Sequence, residues 1–183
     1  MKNKSSLYGY LLCAVFAALT AVCSQIMIPL PFTPVPINLA YLSVLICGGV
    51  LGAKKGVLAM VVYVLLGAVG VPVFVGFNAG LGVLAGPTGG YIVGYIVMPA
   101  VCGIVGFCRR GGALGGFLKG VVVVFVGYGF GTVWFMVLMG VSFPAAFLMC
   151  VVPFIPGDVL KIIAATAVIQ ALRRTSIFGT IHP

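Results

Sequence analysis

Long apolar runs separated by short polar, proline-rich or glycine-rich breaks make up the whole chain. The first run, 7–28, is long enough for one bilayer-crossing helix at roughly 20 residues per span. It stops at 29–36, where four prolines in eight residues prevent helix and favour an extended connection. A second helix is expected over 37–52, a tight turn at Lys54 and Lys55, and a third helix over 56–73. Six glycines and a proline in 76–90 predict a loop. A fourth helix follows over 91–107, closed by Arg109 and Arg110, and a fifth over 116–139. Prolines at 144, 153 and 156 make 145–155 a short hairpin or a partly inserted piece. The last helix then starts at Pro156, a favoured first-turn residue, and its rise of about 27 Å to Arg173 just suffices to cross. The pattern predicts an all-α, polytopic membrane protein of six transmembrane helices, organised as one domain over 1–183.

Composition removes the soluble alternative. Apolar residues make up 63% of the 183 residues and charged residues 6%, against about a quarter charged in ordinary soluble domains. The net charge of +9 does not indicate nucleic acid, because the cations form no patch with interleaved aromatics. They sit instead in the breaks: Lys2 and Lys4; Lys54 and Lys55; Arg109, Arg110 and Lys119; Arg173 and Arg174. With the N-terminus inside, six spans put all of these groups, and both termini, on the cytoplasmic side, as the positive-inside rule requires. The three outer connections carry no charge. The start of the chain imitates a signal peptide, but the run is long and no A-x-A site is evident, so a retained first helix is expected.

Few residues remain that can carry chemistry. Cys13, Cys23, Cys47, Cys102, Cys108 and Cys150 lie mostly in apolar runs without a CxxC pair, and read as small core residues. With His182 the single histidine, no metal site is expected. One acid and no nucleophile paired with a base argue against an enzyme. The stretch 80–85 loosely fits a dinucleotide fingerprint but lacks a flanking strand and a later acid, and no phosphate-binding loop is present, so the chain is not an ATPase.

Asp158 is the single acid, and Lys161 is the one cation outside the cytoplasmic groups. Three residues apart on a helix, they share a face near the outer side of the membrane. Charges there either form a structural salt bridge at headgroup level or line a binding site or pathway. The glycine loop on the same side contributes Asn78, a donor and acceptor, with Phe74, Phe77 and Tyr91 as apolar walls. Small residues at four-residue spacing, Ala14 with Ala18 and Ala17 with Ala21, either pack within the chain or form a docking face for a partner subunit.

Three motifs, in order, carry a family resemblance: Pro31-Phe-Thr-Pro-Val-Pro36, Gly86-Pro-Thr-Gly-Gly-Tyr91 and Phe154-Ile-Pro-Gly-Asp-Val-Leu-Lys161. In these the chain resembles the BioY family, the biotin-specific S components of energy-coupling-factor (ECF) transporters, over nearly its whole length. The resemblance implies a substrate-binding subunit in a prokaryotic plasma membrane, surrounded by lipid, that captures biotin from outside. It also implies a transmembrane coupling subunit and two cytoplasmic ATPases as partners, with biotin as ligand and no cofactor. Asp158, Lys161 and Asn78 match the family's ligand-binding positions, with Tyr91 and Phe77 beside them, and the alanines of helix 1 match its coupling face. Asp158 would accept a ureido N–H, Asn78 would engage ureido groups and Lys161 would pair with the carboxylate. One departure is Ile92, where the family is expected to carry an arginine after Gly-Gly-Tyr. An S component for a different vitamin, and a stand-alone proton-coupled or facilitated transporter, share much of this pattern.

Overall fold

The computed structural model describes residues 2–107 and 112–173, with side chains from Leu7 onward. Cys108, Arg109, Arg110, Arg174 and His182 therefore lie outside the described residues.

Helix α1, Lys2–Gln25, ends just before the proline run. That run is not a plain extended connection but an antiparallel hairpin of β1, Met27–Leu30, and β2, Thr33–Asn38, so the expectation of an all-α chain is corrected here. Prolines cannot donate to a ladder, yet both strands of a two-stranded ribbon are edges, where missing N–H groups are tolerated. Pairing runs Met27 to Asn38, Ile28 to Ile37 and Leu30 to Thr33. The hairpin places Asn38 at the mouth of the next helix.

Helix α2, Ala40–Ala68, is interrupted at Gly52, whose φ of 72° and ψ of −174° are open essentially to glycine alone. Two contacts show that the interruption is a reversal. The Thr20 hydroxyl lies 2.8 Å from Ser43 Oγ and 3.9 Å from Met60 Sδ. In an unbroken helix Ser43 and Met60 would be about 25 Å apart. The two arms, 40–51 and 53–68, thus correspond to the expected second and third helices, folded back on one another. The missing side chain at Gly56 admits Pro99, whose Cβ would lie 2.8 Å from a Cβ placed there.

After α2 come a 3₁₀ turn at Val75–Phe77 and the short helix α3, Leu81–Leu84, inside the predicted glycine loop. Helix α4, Gly89–Ile104, and helix α5, Ala113–Met139, start two or three residues earlier than expected. The proline-bearing stretch forms α6, Phe143–Cys150, and a 3₁₀ turn at Val152–Phe154, before α7, Ile155–Leu172. Among the described residues, four stretches, 7–25, 40–68, 113–139 and 143–172, are long and apolar enough to cross a membrane, and Gly89–Ile104 is a shorter apolar helix.

Helix α2 forms the centre, with α1 on one side, α4 on the other, α5 beyond α4, and α7 against α2 and α5. Helix contacts also sort the charges. Lys55 touches Gly9 of α1, Ala53 touches Gly103 of α4, and Lys119 and Arg173 bond the carbonyls of Gly106 and Phe107. These basic residues gather at one end of the bundle. Asp158 and Lys161, at the start of α7, lie towards the other, with the β-hairpin and the glycine loop.

Candidate functional site

Helix α7 opens on Ile155 and Pro156, which fix the first turn, and puts Asp158 there, where the helix dipole favours a carboxylate. One turn on, Lys161 Nζ donates to Asp158 Oδ1 at 2.6 Å. The hydroxyl of Tyr128, from α5, donates to Asp158 Oδ2. Asp158 is 3% exposed and Lys161 6%, so the pair sits inside the protein. Both carboxylate oxygens are held, yet each keeps an acceptor site, and the ammonium retains donors beyond the one used.

Around the pair lies a cavity of about 540 Å³, counted out to its open side. Tyr41 and Tyr63 from α2, Tyr91 and Tyr95 from α4, and Tyr128 from α5 supply its aromatic walls. Tyr41 stands edge-on to Tyr95 at 5.6 Å and lies 6.1 Å from Tyr128. Missing side chains make room for these rings: a Cβ on Gly127 would lie 2.7 Å from the Tyr41 hydroxyl, and one on Gly131 would overlap the Tyr91 ring. Most of the hydroxyls are occupied. Tyr63 bonds Ser24 at 2.9 Å and the Val73 carbonyl at 3.2 Å, and Tyr91 donates to the Cys150 carbonyl at 3.3 Å. The Tyr41 hydroxyl is enclosed and has no hydrogen-bond partner among the described residues. Such an atom normally costs stability unless something fills its place.

Of the expected site residues, the structure brings Asp158, Lys161 and Tyr91 into this one cavity. Asn78 lies outside it, in an adjoining outer groove that shares Pro36, Val75 and Thr88 as wall with the cavity. Its side-chain amide is turned back onto the Val75 carbonyl at 2.8 Å. Phe77 is 70% exposed, has a positive φ of 57° and lines neither space, so its expected place as a pocket wall is corrected. Gln25 holds this loop in place, accepting from Phe77 N–H at 2.8 Å and donating to the carbonyls of Val73 and Phe74. Ile92 is buried in the cavity wall, which leaves Lys161 as the one cation among the described lining residues.

Tyr41, Tyr63, Tyr95, Tyr128 and Asn38 were not singled out from sequence, although all five line the cavity. A signal was present, since a hydroxyl in an apolar span needs a partner, but it does not say which face of the helix looks inward. Helix α1 divides its alanines: Ala14 and Ala18 face outward, Ala21 is half-buried and Ala17 is 2% exposed. Ala17 is thus enclosed within the chain, whereas Ala14 and Ala18 are open to the outside of the bundle. Among the described residues no three His, Cys, Asp or Glu side chains come together as a metal would require.

The family model described as "BioY family" matches residues 1–177 of the chain. The chain belongs to the BioY family. A Pyrococcus horikoshii protein named "Probable biotin transporter BioY" is 40% identical over 162 residues, covering 88% of this chain and 93% of the relative. The "Biotin transporter BioY" of Rhizobium etli is 35% identical, covering 88% and 90% respectively. The "Biotin transporter BioY2" of Lactococcus lactis is 32% identical over 98% of this chain and all of its own length. Among solved structures, the crystal structure of the S-component for biotin from an ECF-type ABC transporter matches with a TM-score of 0.85 and 26% identity, covering 96% of each chain. In this BioY chain the buried Asp158–Lys161 pair and Tyr91 of the Gly-Gly-Tyr motif line the same cavity.

Proposed function

We propose that this chain is the biotin-capturing S component of an ECF-type vitamin transporter, spanning the cell membrane six times with both termini in the cytoplasm. The six spans would be α1, the two arms of α2, α4, α5, and α7 with its lead-in α6. The gathering of Lys54, Lys55, Lys119 and Arg173 at one end supports placing that end in the cytoplasm. The cavity then opens outward.

The observation that carries the reading is the contact between Asp158 and Lys161 inside an aromatic cavity. At 2.6 Å the two groups serve one head of a ligand, not its two ends. A ureido ring presents N–H donors beside a carbonyl acceptor, which complements a carboxylate next to an ammonium. A ligand carboxylate placed there would face Asp158 at short range in a low-dielectric site. Asp158 therefore accepts a ureido N–H, Lys161 donates to the ureido carbonyl, and Tyr41 offers its unpartnered hydroxyl. The aliphatic chain runs along the tyrosine walls, and the carboxylate lies towards the wetter groove of Asn78 and Thr88. This revises the pairing of Lys161 with the carboxylate.

With no phosphate-binding loop in its own sequence, the chain draws energy from a coupling subunit and two ATPases, and the outward Ala14 and Ala18 of α1 offer a close-packing face to the former. Titration of the purified, detergent-solubilised protein with biotin, beside riboflavin and thiamin, for the wild type and Asp158→Asn, tests the reading. Tight biotin binding lost in the variant supports it. Wild-type affinity in the variant removes the pocket assignment, and preference for another vitamin removes the ligand.

A further inference from the structure

The polar side chains that line the tyrosine-walled cavity differ in the hydrogens they still have to give. Ser24 and Tyr63 hold two hydroxyl hydrogens between them for three contacts: the Thr20 carbonyl at 2.8 Å, the Val73 carbonyl at 3.2 Å and each other at 2.9 Å. Tyr91 donates to the Cys150 carbonyl, and Tyr128 to Asp158. Lys161 and Tyr41 face the ureido ring. Among the described lining side chains, Asn38 and Tyr95 remain, with Thr88 where the cavity meets the outer groove.

Asn38 ends β2 and leads into α2. Its Oδ1 accepts from Ala40 N–H at 3.0 Å, the local turn that asparagine and aspartate make with the backbone two residues on. This bond decides which way round the amide sits, because an N–H can be met only by the oxygen. The turn makes no use of the NH2 group. That group lies beside the Tyr95 hydroxyl of α4 and donates to it. One N–H of Asn38 and the O–H of Tyr95 are then left over, both on side chains that line the cavity.

Their place in the cavity sets them apart from the charged pair. Tyr128, which holds Asp158, is 6.1 Å from Tyr41, and Tyr41 is 5.6 Å from Tyr95, ring to ring, so Tyr95 stands two rings away from the carboxylate. Asn38 lies two residues beyond Pro36, which lines both the cavity and the outer groove. A ligand whose ureido ring sits on Asp158 and Lys161 and whose tail runs towards that groove passes these two donors. Ile92, one turn before Tyr95 in the same wall, adds no charge there.

We propose that Asn38 and Tyr95 form the subsite for the ligand's carboxylate, each donating one hydrogen bond to it, so that this end is read by neutral donors. The assignment rests on the biotin reading, with the ureido ring on the Asp158–Lys161 pair. Neutral donors serve any oxygen acceptor, so a carboxamide is accepted in place of the carboxylate, whereas a negative charge at position 38 sets like against like.

Calorimetric titration of the full chain in detergent with biotin, biotinamide and the analogue that ends in a methyl group tests this for the wild type, Asn38→Asp and Tyr95→Phe. Aspartate keeps the oxygen that Ala40 N–H needs, so the turn into α2 is retained. Asn38→Asp should weaken biotin at least ~30-fold and biotinamide less than about fivefold, since like charges brought together are strongly disfavoured. Tyr95→Phe should weaken biotin about 3- to 10-fold and leave the methyl analogue within about twofold of its wild-type affinity, the loss of one hydrogen bond that only biotin makes. A purely structural role for either residue would move all three ligands together. If Asn38→Asp loses its helical circular dichroism, Tyr95→Phe decides alone. Wild-type protein that binds biotin, with unchanged ratios among the three ligands in both variants, would overturn this subsite and leave the biotin reading standing; wild-type protein that does not bind biotin would remove both.

Discussion

Lys161 and Asp158 lie one turn apart on α7, in contact at 2.6 Å and almost wholly enclosed. Removing one partner of such a buried pair strands the other and costs about 3–5 kcal/mol, whereas replacing both with apolar groups is often close to neutral. Asp158→Asn should therefore lower the apparent melting temperature, and Asp158→Leu combined with Lys161→Met should recover most of it. Neither protein should bind biotin. Thermal unfolding read beside a biotin titration separates the two roles, and recovery of binding in the double variant would show that the pair is structural.

The same contact sets which end of the ligand is recognised. With the ureido ring on the pair, 2-iminobiotin, which replaces the carbonyl facing Lys161 by a nitrogen, should bind at least ~100-fold more weakly, because a site built for one hydrogen-bond pattern rejects its opposite strongly. Biotinamide, altered only at the carboxylate, should stay within about tenfold of biotin. The reverse order in competition titrations would put the carboxylate on Lys161.

Tyr41 gives a case in which stability and binding should part. Its hydroxyl has no hydrogen-bond partner among the described residues, so Tyr41→Phe removes an enclosed polar atom at no loss of contact, and the apo protein should be as stable or more so by about 1 kcal/mol. Biotin affinity should fall about 3- to 10-fold, the net value of one hydrogen bond. Unchanged affinity in calorimetric titration would mean that the ligand does not use this hydroxyl.

Gly52 carries the reversal of α2. At φ 72° and ψ −174° an alanine is strained, so Gly52→Ala should destabilise by about 1–3 kcal/mol. Because Thr20, Ser43 and Met60 meet only if the chain folds back there, amide hydrogen exchange should rise along 40–68 in the variant. An unchanged melting temperature and exchange pattern would show that the turn does not need glycine.

How much of this was legible beforehand differs by element. Apolar runs, the proline break, the glycine loop and the lone pair of charges are one-dimensional signals, because lipid demands long apolar helices and penalises charge wherever it stands. They placed the helices to within a few residues and gave Asp158 and Lys161, whose spacing on α7 fixes their contact without any other element. The rest depended on neighbours. A helix that is apolar all round shows no preferred face, so nothing in α1, α2, α4 or α5 announced that Tyr41, Tyr95 and Tyr128 look inward while Ala14 and Ala18 look out. Asn78 and Phe77 were close in sequence to the right place, but the turn at Val75–Phe77 and the grip of Gln25 send one to an outer groove and the other to the surface. By itself the sequence determined the solvent, the segments and the one charged pair, because those follow from local chemistry and the cost of charge in lipid. Only the tertiary structure decided which hydroxyls share a cavity with that pair, because this depends on how closely glycine-lined helices approach one another.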